Sequence, residues 1–211
     1  MSAFRVALRR LLGLALGGLV AVSVSPVDAQ QRPYSAAEVK AAFLYRFGTY
    51  VEWPQPAAAS DPIRIAVLGA PNVAMQLATY LPGRSIQGRP VQVRPIERID
   101  DVGDAEVLFI GEDRSSTLTE LIAALGKRPT LVVTDAVDGL KHGAMVNFQI
   151  VDQRVRFEIS LRKAQDAGLM LSSVLLSAAI RVETSSCSRD CHGPLAPPQF
   201  ALFWPFEPLE A

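Results

Sequence analysis

Between residues 34 and 52 an apolar side chain returns every fourth position. Val39, Phe43, Phe47 and Val51 form the row, with Leu44 and Tyr50 beside them. That spacing draws one stripe down a helix. Ser35 and Glu38 stand at its start as S-x-x-E, the spacing of a capping box in which each side chain serves the other residue's free backbone N–H. Trp53-Pro54 marks its end, because proline disfavours helical backbone in the residue before it. Residues 55–62 (Gln-Pro-Ala-Ala-Ala-Ser-Asp-Pro) read as a loop.

The middle of the chain alternates. Ile63–Leu68 is a β-branched, mostly apolar run closed by Gly69, and 72–81 has helical character. Gly83 and Gly88 bracket a turn. Val91–Ile96 alternates apolar and polar, as an exposed or edge strand does. Ala105–Ile110 and Thr130–Thr134 are continuous apolar strands, closed by Gly111 and Asp135. Between them Leu118, Leu121, Ile122 and Leu125 keep the i, i+3, i+4, i+7 spacing of an amphipathic helix. Strands alternating with helices predict an α/β fold: a mainly parallel, Rossmann-like three-layer sheet flanked by helices.

The pattern changes in the last third. Met145–Val151 and Arg154–Leu161, separated by Asp152-Gln153, predict an antiparallel hairpin. Residues 164–183 are apolar almost all round and predict one long buried helix. From Thr184 helix signals stop. Residues 184–211 hold both cysteines, five prolines and the aromatics Phe200, Phe203, Trp204 and Phe206. This divides the chain into a leader (1–29), an α/β domain (30–183) and a C-terminal extension (184–211).

The leader reads as a secretory signal. Arg5, Arg9 and Arg10 precede an uncharged run from Leu11 to Val24, and Val27-Asp28-Ala29 offers small residues for cleavage. The run is about 14 residues, short of the roughly 20 that span a bilayer. An uncleaved anchor is the rival reading. The whole chain balances 21 Lys+Arg against 21 Asp+Glu, and without residues 1–29 it keeps 18 against 20. Such a chain has no field to attract nucleic acid. Export, with periplasmic residence, places it where disulfides persist.

Candidate chemistry is sparse. Cys187-Ser188-Arg189-Asp190-Cys191-His192 is one residue too long for haem attachment, and a metal would need a further ligand. A Cys187–Cys191 disulfide is the plain reading. Ser160-Leu161-Arg162-Lys163 matches S-x-x-K but lacks the companion motifs of penicillin chemistry. Asp100, Asp101, Asp104 and Glu106 lack calcium-loop spacing and read as a solvated loop. His142 reads as a loop residue. Gly69, Gly111 and Asp135 end three parallel strands, the edge where α/β sheets hold ligands, and Asn147 lies near them in the next strand. Two readings stand for this edge: a small-molecule crevice, or glycines that let the chain turn. No phosphate-loop, dinucleotide or nucleophile-elbow motif is present. Composition and spacing therefore indicate an exported α/β domain without catalytic residues, cofactor or metal.

Several segments in order resemble the YfiR family of exported proteins. They are Val39–Phe47 running on to Tyr50-Val51-Glu52-Trp53-Pro54, Ile65–Gly69, Gly88–Arg94, Glu106–Ile110, Leu131–Asp135, Gly143–Phe148, Arg154–Ile159 and Gly168–Leu176. The match runs over roughly 38–182. Ala144 stands where the family usually has a second glycine, and Ser160 where it usually has asparagine. Many members carry cysteines within the domain; here both lie in the extension, which the resemblance leaves unexplained.

The resemblance implies a periplasmic repressor of an inner-membrane diguanylate cyclase, acting on that enzyme's periplasmic region. It also implies an outer-membrane OmpA-like lipoprotein that sequesters the repressor, with cyclic-di-GMP and biofilm formation as the output. A regulator of this kind needs an exposed aromatic patch. Tyr45, Tyr50 and Trp53 form one candidate, unless they seal the first helix onto the sheet. Phe203 and Trp204, with Phe200 and Phe206, form another, open to a partner, a second copy in a homodimer, or the chain's own core. A small-molecule-sensing module is the alternative function.

Mass spectrometry of the exported protein should find residues 1–29 missing, and non-reducing peptide mapping should join Cys187 to Cys191. An intact N-terminus contradicts the first reading, and two free thiols the second.

Overall fold

A computed structural model describes residues 34–54 and 61–184. The leader, the cysteine pair and the tail aromatics Phe200, Phe203, Trp204 and Phe206 lie outside the described residues.

The first helix, α1, is Ala36–Tyr50. Its capping box forms as the spacing predicts. Glu38 N–H donates to Ser35 Oγ at 3.2 Å, and Ser35 N–H donates to Glu38 Oε2 at 2.6 Å. That backbone donor favours the ionised carboxylate and holds the Glu38 carboxyl below its usual range. A two-residue strand, β1 (Val51–Glu52), follows at once.

The βα alternation then runs β2 (Ile63–Leu68), α2 (Pro71–Tyr80), β3 (Ser85–Ile86), β4 (Arg89–Ile96), β5 (Val107–Ile110), α3 (Leu118–Leu125) and β6 (Leu131–Thr134). The hairpin is β7 (Val146–Val151) and β8 (Arg154–Ser160). Its turn residues Asp152 and Gln153 have φ of 49° and 60°, the paired positive values of a tight two-residue hairpin loop. The chain closes with α4 (Leu161–Asp166), β9 (Met170–Leu171), α5 (Ser173–Ala178) and β10 (Arg181–Glu183).

Eight strands make one sheet in the order β10-β8-β7-β6-β5-β2-β4-β3. The block β4-β2-β5-β6-β7 is parallel; β7 meets β8 antiparallel, and β10 lies parallel to β8. This is the mainly parallel α/β architecture with a late hairpin. The alternating run 91–96 lies one place in from the sheet's end, with β3 paired to Arg89 and Pro90.

The aromatic part of the core lies between α1 and the strands β5, β7 and β8. Phe43 and Phe47 face Phe157 at 5.3 and 5.2 Å between ring centres, and Phe148 at 5.9 and 5.7 Å. Phe109 extends the cluster to the middle of the sheet, 6.1 Å from Phe148. These separations are those of favourable edge and offset ring contacts.

The long helix expected over 164–183 is not there. The segment breaks into α4, β9, α5 and β10. Gly168 adopts φ +78°, a left-handed conformation that stops α4. Met170 and Leu171 pair antiparallel with Glu52 and Val51. Ser172 then restarts a helix, its Oγ accepting from Leu175 N–H at 3.3 Å. Leu169, Leu175 and Ala179 are buried, while Met170, Val174 and Ile180 face outwards. An all-apolar run has no period that separates one buried helix from short strands and turns.

Candidate functional site

Leu68, Ile110, Thr134 and Asn147 share one register row across β2, β5, β6 and β7. Gly69, Gly111 and Asp135 are the next residues in their chains, so they line the carboxyl edge of the sheet together. Asn147 sits in the row itself, one step inside.

The two glycines let neighbouring strand ends touch. Gly111 N–H donates to Leu68 O at 2.8 Å. A Cβ on Gly111 would stand 2.3 Å from Gly69 O, and one on Gly69 would stand 2.6 Å from Arg114 Cγ. The side chain of Arg114 thus lies over Gly69. At the next strand, Asp135 Oδ2 receives a bond from Lys40 Nζ of α1 at 2.6 Å, and both side chains are mostly buried (13% and 16% exposed). Thr134 ties the edge together, its hydroxyl donating to Ile110 O at 2.7 Å and accepting from Ala136 N–H at 3.2 Å.

Asn147 is buried, and its Nδ2 donates to Glu158 Oε1 at 3.0 Å. The other oxygen of the buried Glu158 receives Arg181 Nε at 2.9 Å and Nη2 at 2.5 Å. The half-exposed Arg181 also reaches Glu183 at 3.3 Å. Burying a carboxylate requires such pairing. Among the described residues, Asp135 Oδ1 and Asn147 Oδ1 are buried and have no hydrogen-bond partner. Gly139 leaves room beside the amide: a Cβ there would lie 2.3 Å from Thr134 Cγ2 and 2.7 Å from Asn147 Oδ1.

At the opposite edge Trp53 Nε1 donates to Glu106 O at 3.2 Å. The Glu106 side chain is buried, accepting from Arg64 N–H at 2.8 Å and Arg89 Nη2 at 2.5 Å. That corrects the reading of Glu106 as part of a solvated loop. Asp104 and Asp100 do face solvent, paired with Arg64 and Arg98.

The aromatic candidates diverge. Tyr45 donates to Ser85 O at 2.9 Å and packs edge-on to Tyr80. Arg84 lies over both rings, 4.0 Å from the centre of Tyr80 and 5.7 Å from that of Tyr45. Tyr50 O accepts from Ser172 N–H, beside the β1–β9 pair. Tyr45, Tyr50 and Trp53 are all partly buried against the core, each beside a different part of the chain. Phe203 and Trp204 lie outside the described residues.

Lys163, the second member of the S-x-x-K match, donates to Leu140 O. Burial holds its ammonium below the usual lysine value, opposed by the nearby Glu183 carboxylate. Ser160 is buried at the end of β8. His142 Nδ1 lies 3.0 Å from Thr119 Oγ1 at the surface. Among the described residues no three His, Cys, Asp or Glu side chains group as metal ligands, and no helix is long and apolar enough to cross a membrane.

Sequence reasoning missed Lys40, Arg114, Glu158 and Arg181, and placed Glu106 in a solvated loop. Glu158 alone carried a signal, a carboxylate inside the apolar strand Phe-Glu-Ile.

A family model described as YfiR/HmsC-like matches residues 37–180. Among solved structures, the chain is similar to a conserved domain protein from Vibrio cholerae O1 biovar El Tor strain N16961, with 12% identity and a TM-score of 0.52. The likeness covers 71% of this chain and 60% of that one, and it is a likeness of fold. No curated protein matches.

Breaking a buried ion pair from one side strands the other charge, at a cost of about 3 kcal/mol. Lys40→Met should lower unfolding free energy by that amount in urea titration, and Lys40→Met with Asp135→Leu should recover most of it. Equal losses in the single and double variants contradict the pairing.

Proposed function

The chain belongs to the YfiR/HmsC-like family of periplasmic regulators, and we propose that it is a non-enzymatic repressor of an inner-membrane diguanylate cyclase. It acts on the cyclase's periplasmic region and lowers cyclic-di-GMP. An OmpA-like outer-membrane lipoprotein relieves the repression by capturing it. The observation that carries this reading is the family match over residues 37–180.

The fold is compatible with such a role. Ring contacts to Phe148 and Phe157 and the Lys40–Asp135 pair hold α1 to the sheet, which makes a firm platform. A regulator that works by contact needs a firm platform with an exposed surface, not a reactive centre. In this reading Tyr45, Tyr50 and Trp53 are separate candidate contacts for the partner, and Phe203 and Trp204, which lie outside the described residues, are further candidates.

Ligand sensing is the second reading. The buried oxygens Asp135 Oδ1 and Asn147 Oδ1, both without a hydrogen-bond partner among the described residues, favour it.

Deleting the gene in its native host should raise cyclic-di-GMP. The exported form, and not a form lacking residues 1–29, should restore the lower level. An unchanged level on deletion overturns the repressor reading and leaves ligand sensing in another exported pathway.

A further inference from the structure

Arg64, Arg89, Arg98 and Arg181 each reach a carboxylate. Arg84 is held differently. It lies just past α2, where its backbone N–H donates to Leu81 O at 2.9 Å. Its guanidinium lies over the ring of Tyr80, 4.0 Å from the ring centre, and its Nε donates to Tyr80 O at 2.9 Å. Tyr80 is itself braced. Its ring meets Tyr45 edge-on at 5.6 Å between centres, and the Tyr45 hydroxyl donates to Ser85 O at 2.9 Å. The stack and the Nε bond together fix the plane and direction of a charged group. Among the described residues Arg84 forms no ion pair. Nε is spent on the backbone, so the two Nη groups carry the remaining donors.

This guanidinium lines a groove of about 500 Å³, within the size range of small-molecule sites. The buried Leu81 and Val91, the half-buried Val93 and the exposed Pro82 and Pro90 give it apolar surface. Gly83 and Gly88 also line it, and a Cβ at either would meet nothing within 4 Å, so the space beside them is open. Among the described residues Arg84 is the one charged side chain lining the groove. The groove shares no residue with the Asp135–Asn147 edge.

An oriented cation against apolar walls selects a ligand of two parts. The charge calls for an anion, and a carboxylate meets paired N–H groups side by side. The walls call for an apolar body. The lining offers no second charge, which disfavours a dicarboxylate or an amino acid, whose other charge would lose water without a partner. Because its stack already holds Arg84, the ligand does not have to order it.

We propose that this groove binds a small monocarboxylic acid with an apolar body. Its carboxylate pairs with the Nη groups of Arg84, and its body lies against Pro82, Pro90 and Val93. A bound acid joins the end of α2 to the β3–β4 hairpin.

Sodium octanoate titrated into the exported protein and followed by amide NMR tests this. Saturable shifts are expected at Ser85, Gly88 and Val93, with β5 and β6 unmoved. Acetate, which lacks the body, and octanol, which lacks the charge, should each bind at least about tenfold more weakly. Arg84→Gln should weaken octanoate to a similar degree. Ala78→Glu leaves Arg84 in place and sets a competing carboxylate on the groove wall, at an exposed helix position. It should weaken octanoate as well. No saturable binding in the millimolar range, equal binding of octanol, or undiminished binding in both variants overturns the proposal. Shifts centred on other strands also overturn it, by placing the acid elsewhere.

Discussion

The constraint on which the structure depends is the burial of one face of α1. Phe43 and Phe47 stack on each other, 6.0 Å between ring centres, and the rest of their cover comes from Phe148 and Phe157 of the hairpin, with Phe109 behind. Losing one such ring from a packed core costs about 3–5 kcal/mol, comparable to much of a domain's net stability. The partners come from residues about a hundred positions further on. Until the hairpin joins the parallel block, the first helix has nowhere to bury its stripe.

Both ends of α1 and its continuation are then fixed by polar contacts. Lys40 bonds Asp135 at the carboxyl edge of the sheet, and Trp53 bonds the backbone of Glu106 at the other. Between them β1 pairs with β9, which joins Val51-Glu52 to Met170-Leu171. These contacts link segments that, read along the chain, looked unrelated. The first helix meets the strand ending in Asp135, the hairpin strands holding Phe148 and Phe157, the strand after Glu106, and the run after Gly168. At the carboxyl edge the space between strand ends is taken by Arg114, Lys40 and the Gly69–Gly111 contact.

Local order was legible in the sequence and long-range pairing was not. The capping box, the stripe of α1, the parallel strands and the hairpin followed from spacing and turn chemistry. The run 164–183 was not legible, because helix, short strand and turn can all carry an unbroken series of Leu, Val and Ala. What decides there is Gly168, the Ser172 cap and the availability of β1 and β8 as partners. Gly69, Gly111 and Asp135 lie together at the carboxyl edge, each following the end of a parallel strand. Their neighbours Arg114 and Lys40 were invisible, since Lys40 and Asp135 lie 95 positions apart. The burial of Glu106 was hidden for the same reason: its partner Arg89 precedes it by 17 residues, across an intervening strand.

α1 is held to the hairpin by its aromatic rings. A double-mutant cycle between Phe47 and Phe148, each changed to Leu and followed by urea unfolding, measures that contact directly. Direct ring contact predicts a coupling of about 0.5–1.5 kcal/mol between the two positions. Strict additivity of the two changes would contradict it.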